Sequence, residues 1–125
     1  MSGPGAVDKA RAVADAAMGK VAEKLVALDV RELVSFADTF IIATGRSDRH
    51  VRSIADAVGE AATKAGEPPL GVEGYTEGRW VLIDLGDIVV HIFQGETRGH
   101  YDLERLWSDA PRLDFGTDDA REVVR

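Results

Sequence analysis

WVLIDLGDIVVHIFQGETRGHYDLERLW, residues 80–107, decides the fold. Two apolar runs, 79–85 and 88–94, flank the pair Gly86-Asp87. This is the pattern of a tight antiparallel hairpin, with Gly86 supplying the positive φ at the first central position of a II′ turn. With Gly86 and Asp87 as the loop residues, Leu85 pairs with Ile88, Ile83 with Val90 and Val81 with Ile92. All of those side chains point to one face. The other face carries Trp80 opposite Phe93, Leu82 opposite His91 and Asp84 opposite Val89. The first face holds only branched aliphatics and belongs to the core. The second mixes two aromatics, an acid and an imidazole, a composition closer to a binding surface than to an interior. A slip of one residue on either strand would exchange that strand's faces, so the reading stands or falls with the register.

Upstream of the hairpin, helical and extended patterns alternate. Residues 1–5 (MSGPG) are small and rich in breakers and read as a disordered lead-in. From about Val7 to Lys24, Ala10, Val13, Ala14, Ala17, Val21 and Leu25 fall on one helical face, with Lys9 among the charges off that stripe. LVALDV (25–30) reads as the first strand. FIIAT (40–44), ended by Gly45, reads as an interior strand covered on both faces. Ser47 or Asp48 caps the next helix, which carries Val51, Ile54, Ala55, Val58, Ala61, Ala62 and Ala65 inward and stops at Gly66 before Pro68-Pro69. A third strand at about 70–74 precedes the hairpin. Thr97 or a neighbour caps a last helix to about Trp107, with Leu103, Leu106 and Trp107 inward. The sequence thus predicts an α+β fold, a mixed five-stranded sheet with helices, because the hairpin excludes a purely parallel sheet. Residues 6–110 form a single domain in this reading, and 111–125 a flexible extension poor in apolar residues.

The bulk composition narrows the function. A chain of 125 residues with 45% hydrophobic and 30% charged residues suits one globular domain. It contains no cysteine, so thiolate nucleophiles, disulfides and zinc–thiolate sites are excluded. No apolar run reaches the roughly 18 residues of a membrane helix, and no signal-peptide core stands at the N-terminus. A cytoplasmic protein with no membrane partner is expected. The net charge of −7 argues against phosphate-driven nucleic-acid binding and favours steering towards a basic partner.

Each candidate for chemistry meets a simpler explanation. TGRSDRH (44–50) sits where a strand meets a helix, where backbone amides and Arg46, Arg49 and Arg52 could hold a phosphate. A single glycine is neither a P-loop nor a dinucleotide fingerprint, and helix capping is the better reading. Asp84 and Asp87 bracket the turn at a spacing of three, so they diverge rather than converge on a metal as an Asp-x-Asp strand pair would. His50, His91 and His100 share no metal-ligand spacing, and no cofactor is indicated. For His91, a half-buried imidazole bonded to a neighbour and an interface residue are equally good readings. For Trp80 and Phe93, partial exposure is favoured over a second core layer because Asp84 and His91 share their face. Tyr101 and Glu104 lie one turn apart on the last helix, and Tyr101 is a candidate interface anchor.

DTFIIATGRSDRHVRSIADAV (38–58), GVEG (71–74), the hairpin and RGHYDLERLW (98–107) together resemble the ribosomal silencing factor family, RsfS, also called the Iojap family. The likeness runs from about Val21 to Ala110. It implies a nucleotidyltransferase-like fold lacking the catalytic carboxylates, and no enzymatic activity. It also implies a partner, the fourteenth protein of the large ribosomal subunit, whose occupation blocks joining of the small subunit and represses translation under nutrient limitation. The family's partner-binding positions map to Trp80, Asp84, His91, Tyr101, Leu103 and Glu104, and Phe93 joins them from the hairpin face. Where many relatives have Tyr or Leu before Tyr101, this chain has His100. Two other classes stay open: a homo-oligomeric adaptor, here a homodimer through the hairpin face, and an active nucleotidyltransferase-like enzyme using Asp84. Direct sequence-specific nucleic-acid binding is not implied.

Overall fold

The computed structural model describes residues 3–95 together with 97, 108 and 110–113, and of residues 3–7 the backbone alone. In chain order the elements are α1 (Gly3–Gly19), β1 (Glu23–Asp29), β2 (Thr39–Gly45), α2 (Asp48–Lys64), β3 (Gly71–Glu73), β4 (Trp80–Asp84) and β5 (Ile88–Gln94). The five strands form one sheet in the order β1-β2-β5-β4-β3. Strands β2 and β5 pair in parallel and every other neighbouring pair is antiparallel. The fold is the expected α+β mixed sheet. The parallel pair lies at its centre because α2, β3 and β4 intervene as the crossover that two parallel strands require.

The hairpin has the predicted register: Val81 faces Ile92, Ile83 faces Val90, and Trp80, Leu82 and Asp84 face Phe93, His91 and Val89. Leu85 N–H donates to the Ile88 carbonyl at 2.8 Å, and Gly86 has φ 92°. That dihedral is open to glycine and strained for other L-residues. The aliphatic face packs under both helices, where Val13 and Ala17 of α1 and Val51, Ile54 and Val58 of α2 meet Ile41, Val81, Ile83, Val90 and Ile92. A second cluster on the opposite face joins Leu28, Val30, Ala37, Phe40, Ile42, Val89, Phe93 and Ala110. Strand β2, between β1 and β5, is covered on both faces as its apolar run requires.

Helix α2 follows its sequence signals closely. Ser47 is the N-cap, its Oγ accepting from His50 N–H at 3.1 Å. Asp48 and Lys64 sit at the ends whose dipole charge each opposes. Gly66, with φ 87°, closes the C-terminus, and Glu67 N–H returns to the Ala62 carbonyl at 3.0 Å.

Helix α1 departs from prediction at both ends. It begins at Gly3, inside the stretch read as a lead-in, because Pro4 falls in the first turn, where a helix needs no N–H from it. It ends at Gly19, not Lys24. Val21 adopts φ 63° and Ala22 N–H bonds back to the Ala17 carbonyl, reversing the chain into β1. Val21 and Leu25 continue the helical spacing by coincidence, and Val21 is exposed. Strand β1 then starts two residues early, with a bulge between Glu23 and Val26 that takes up Lys24 at φ 52°.

The segment read as a flexible extension begins with ordered pairing. Asp29 N–H donates to the Pro111 carbonyl and Leu113 N–H to the Ala27 carbonyl, both at 2.8 Å, and Arg112 bridges Leu28. Residues 111–113 thereby satisfy outward-facing backbone groups of β1 that would otherwise be an open sheet edge. The predicted last helix, apart from Thr97, lies outside the described residues.

Candidate partner-binding site

The hairpin positions the candidate residues by strand alternation, which places Trp80, Leu82 and Asp84 beside Phe93, His91 and Val89 on the face away from α1 and α2. Trp80 is half-buried, and its indole stacks on Phe93 with ring centroids 5.0 Å apart and planes at 26°. The Trp80 Nε1–H donates to His91 Nδ1 at 3.2 Å. The indole nitrogen can only donate, so Nδ1 must be the unprotonated nitrogen and the neutral imidazole carries its proton on Nε2. Phe40 meets the same imidazole edge-on, centroids 4.9 Å apart at 61°. Phe36, strongly exposed, continues this row of rings at 6.2 Å from Phe40.

His91 is 5% exposed and Phe93 fully buried. Burial alone pushes the His91 pKa down from 6.5 to about 4, so the ring is neutral at physiological pH. The expected partial exposure therefore holds for Trp80 and fails for Phe93. A face that mixes aromatics with an imidazole looked like surface from its composition. Its polar member is instead engaged from within, Nδ1 by the indole, while the buried Nε2–H finds no acceptor among the described residues, and the rings pack into the second core cluster.

The two acids of the turn diverge, and each is engaged in structure. Asp84, half-buried, accepts Gly86 N–H through Oδ1 at 2.9 Å, an Asx bond that pins the turn. Asp87 turns the other way and forms an ion pair with Lys9 at 2.8 Å. Its carbonyl accepts Asp38 N–H at 2.7 Å and Thr39 N–H at 3.1 Å. Lys9 also pairs with Glu67 and reaches the Leu85 carbonyl, tying α1, the end of α2 and the hairpin turn into one knot. Burial pulls the Lys9 ammonium down, but its hydrogen bonds to Asp87 and Glu67, with their charges, leave its pKa raised. Among the described residues no group of three or more His, Asp or Glu side chains could hold a metal ion.

At the start of α2 the backbone amides of the TGRSDRH turn are taken up by helix capping. Ser47 and Asp48 side chains take the N–H groups of His50 and Arg49, and the Ser47 carbonyl takes that of Val51. Arg46 pairs with Glu23 at 2.8 Å, and Arg52 donates to the Thr76 carbonyl at 3.0 Å. His50 accepts Arg46 N–H on Nδ1 and so donates its Nε2–H to the Lys20 carbonyl at 2.7 Å, joining the end of α1 to the start of α2. Gly45 is needed because a Cβ there would stand 2.8 Å from Val51 Cγ2.

Sequence reasoning brought Trp80, Asp84, His91 and Phe93 together on one face, and the structure does the same. Tyr101, Leu103 and Glu104 lie outside the described residues. It missed Lys9, placed among the solvent charges although it is 7% exposed. It also missed Gly74, which lies against the backbone of Trp80. The only available signals were the position of Lys9 beside Ala10 at the edge of the apolar stripe and the Gly74-Tyr75 pair after a short strand.

These features define a class: an α+β domain with helices α1 and α2 on one face of a mixed sheet and a hairpin that presents an internally braced tryptophan on the other. The sequence profile described as "Ribosomal silencing factor during starvation", RsfS, matches residues 4–124, and the chain belongs to that family. It is 46% identical over 99 residues to ribosomal silencing factor RsfS of Bacillus subtilis, covering 78% of this chain and 84% of that one. The corresponding protein of Halalkalibacterium halodurans is 44% identical over 96 residues, covering 77% and 82%. A crystal structure of a protein from Chromobacterium violaceum superposes with a TM-score of 0.79 at 32% identity, covering 91% of this chain and 94% of that one.

Proposed function

We propose that this chain silences ribosomes by steric exclusion. It binds the fourteenth protein of the large ribosomal subunit, covers the face that meets the small subunit, and so prevents subunit joining when nutrients are scarce. The observation that carries this reading is Trp80, partly exposed and braced by Phe93 and His91 on a hairpin whose other face is core. A rigid, partly exposed aromatic is the kind of residue that anchors protein interfaces, because little side-chain freedom is left to lose on binding.

Asp84 contributes a fixed carboxylate on the same hairpin face, four residues along the strand from the anchor, while Phe93 and His91 support the indole from beneath. Tyr101, Leu103 and Glu104 complete the contact surface in the family pattern. The net charge of −7 supports steering towards a basic ribosomal protein. The protein acts in the cytoplasm without catalysis. Its nucleotidyltransferase-like sheet keeps two acids at the turn, but Asp84 is bonded to Gly86 and Asp87 to Lys9. Among the described residues no helix is long and apolar enough to cross a membrane.

The test is co-sedimentation of the protein with isolated large and small subunits, each separately and at two salt concentrations. Binding to the large subunit alone, weakened by salt, is the expected result. Trp80→Ala should weaken it by on the order of 2–4 kcal/mol, the cost of truncating a desolvated anchor. Unchanged binding by Trp80→Ala refutes the anchor, and no binding to either subunit refutes the function. Sedimentation of the free protein separates the adaptor reading, in which the same substitution would dissociate a homodimer.

A further inference from the structure

We infer that His91 touches no partner and instead acts as a positioning residue, its Nδ1 holding the Trp80 indole N–H so that the indole is presented in one fixed orientation. The inference rests on Trp80 being the anchor. Three observations carry it. His91 is 5% exposed, so a docking partner cannot reach the imidazole without rearranging the hairpin face. Its ring is held between Phe40, edge-on at 4.9 Å, and the Trp80–Phe93 stack, which leaves it little rotational freedom. The acceptor it offers lies 3.2 Å from Trp80 Nε1, diagonally across the strand pair, since Trp80 itself faces Phe93 and His91 faces Leu82.

The geometry also explains why an imidazole suits this place. Trp80 needs an acceptor at the end of its polar edge, since an indole N–H turned towards an apolar layer would lose its bond to water without replacement. The acceptor must come from a side chain flat enough to fit among stacked rings. A neutral histidine meets both needs, and its ring adds contact area to Phe40 and Phe93. Stacking on Phe93 fixes the plane of the indole. The bond to Nδ1 fixes which edge of that plane faces inward, and therefore which edge faces a partner.

The experiment uses the full chain, with nitrogen-15 in histidine and tryptophan. An N–H···N bond transmits a nitrogen–nitrogen scalar coupling, so a Trp80 Nε1–His91 Nδ1 coupling should be detectable, with nitrogen shifts marking Nδ1 as the bare nitrogen. Its absence in the unsubstituted protein overturns the inference without recourse to any variant. His91→Leu keeps a branched side chain but removes the acceptor, whereas His91→Asn places an oxygen where Nδ1 stood. His91→Leu should accelerate solvent exchange of the Trp80 indole N–H and weaken large-subunit binding about five- to tenfold, the worth of one ordinary hydrogen bond. His91→Asn should recover most of both. Unchanged indole exchange in His91→Leu overturns the positioning role. Faster exchange with unchanged binding upholds the positioning role and overturns the reading of Trp80 as the anchor.

Discussion

Acidification should destabilise this protein through His91 before its carboxylates titrate. In the folded chain burial holds the imidazole pKa at about 4, against 6.5 for a free histidine. Between those values the unfolded chain carries the proton and the folded chain does not. Stability therefore rises with pH across this interval, is complete above the unfolded value, and is lost as pH falls from about 6.5 towards 4. The two protonation curves give a loss of about 2 kcal/mol between about pH 7 and pH 5, and about 3 kcal/mol once both states are protonated. Protonating the folded ring also places a donor on Nδ1, facing the Trp80 indole N–H, so the acid form loses that bond too.

Urea unfolding at a series of pH values measures this directly, with His91→Leu as the reference protein. The other two histidines and every carboxylate are common to both proteins, so their contributions cancel in the difference. His91→Leu leaves the indole unpaired and is less stable near neutrality, but that offset is the same at each pH. The difference between the proteins should shrink by about 2 kcal/mol from pH 7 to pH 5 as the native imidazole resists its proton. Parallel curves would show that His91 titrates alike in the folded and unfolded chains, and would refute the account of its burial.

Three further substitutions test other parts of the fold. Gly74→Ala would set a Cβ 2.1 Å from the Trp80 carbonyl oxygen at φ 80°, so the β3–β4 connection must move. A loss of about 2–4 kcal/mol in denaturant unfolding, with a displaced Trp80 indole resonance, is expected. Lys9→Met keeps the volume but leaves the Asp87 carboxylate, 35% exposed, without its cation. The expected loss is about 2 kcal/mol, and Asp87→Asn in the same chain should return part of it on thermal unfolding. Ser47→Ala removes the oxygen that accepts His50 N–H and should lower stability by about 1 kcal/mol, with Ser47→Asp recovering it.

The parts of the fold that could be read from the sequence are those fixed by neighbours along the chain. The hairpin register follows from Gly86-Asp87 because a two-residue turn leaves one pairing that puts every branched aliphatic on a single face. The bounds of α2 follow from Ser47 and Gly66, whose effects reach no further than one helical turn. The end of α1 could not be read in this way. Val21 and Leu25 keep the helical spacing, and only the left-handed Val21 breaks the helix, a conformation that valine does not advertise. Lys9 was illegible for a different reason. Its partners Glu67 and Asp87 lie in other elements, and only the sheet order brings the hairpin turn beneath α1.

The candidate site divides along the same line. Strand alternation tells which side chains share a face, so the grouping of Trp80, Asp84, His91 and Phe93 needed no tertiary information. What covers that face is a long-range property, and composition was a poor guide to it because the most polar ring of the group is buried with its neighbour bonded to one of its two nitrogens. An imidazole whose Nδ1 is already bonded to an indole can be buried at neutral pH at the cost of a displaced proton equilibrium and an Nε2–H unpartnered among the described residues, not of a buried charge. The Trp80–His91 bond thus satisfies one nitrogen of the buried imidazole and holds the partly exposed indole rigid. A mixed face can therefore be core on its inner side and still present an anchor at its rim.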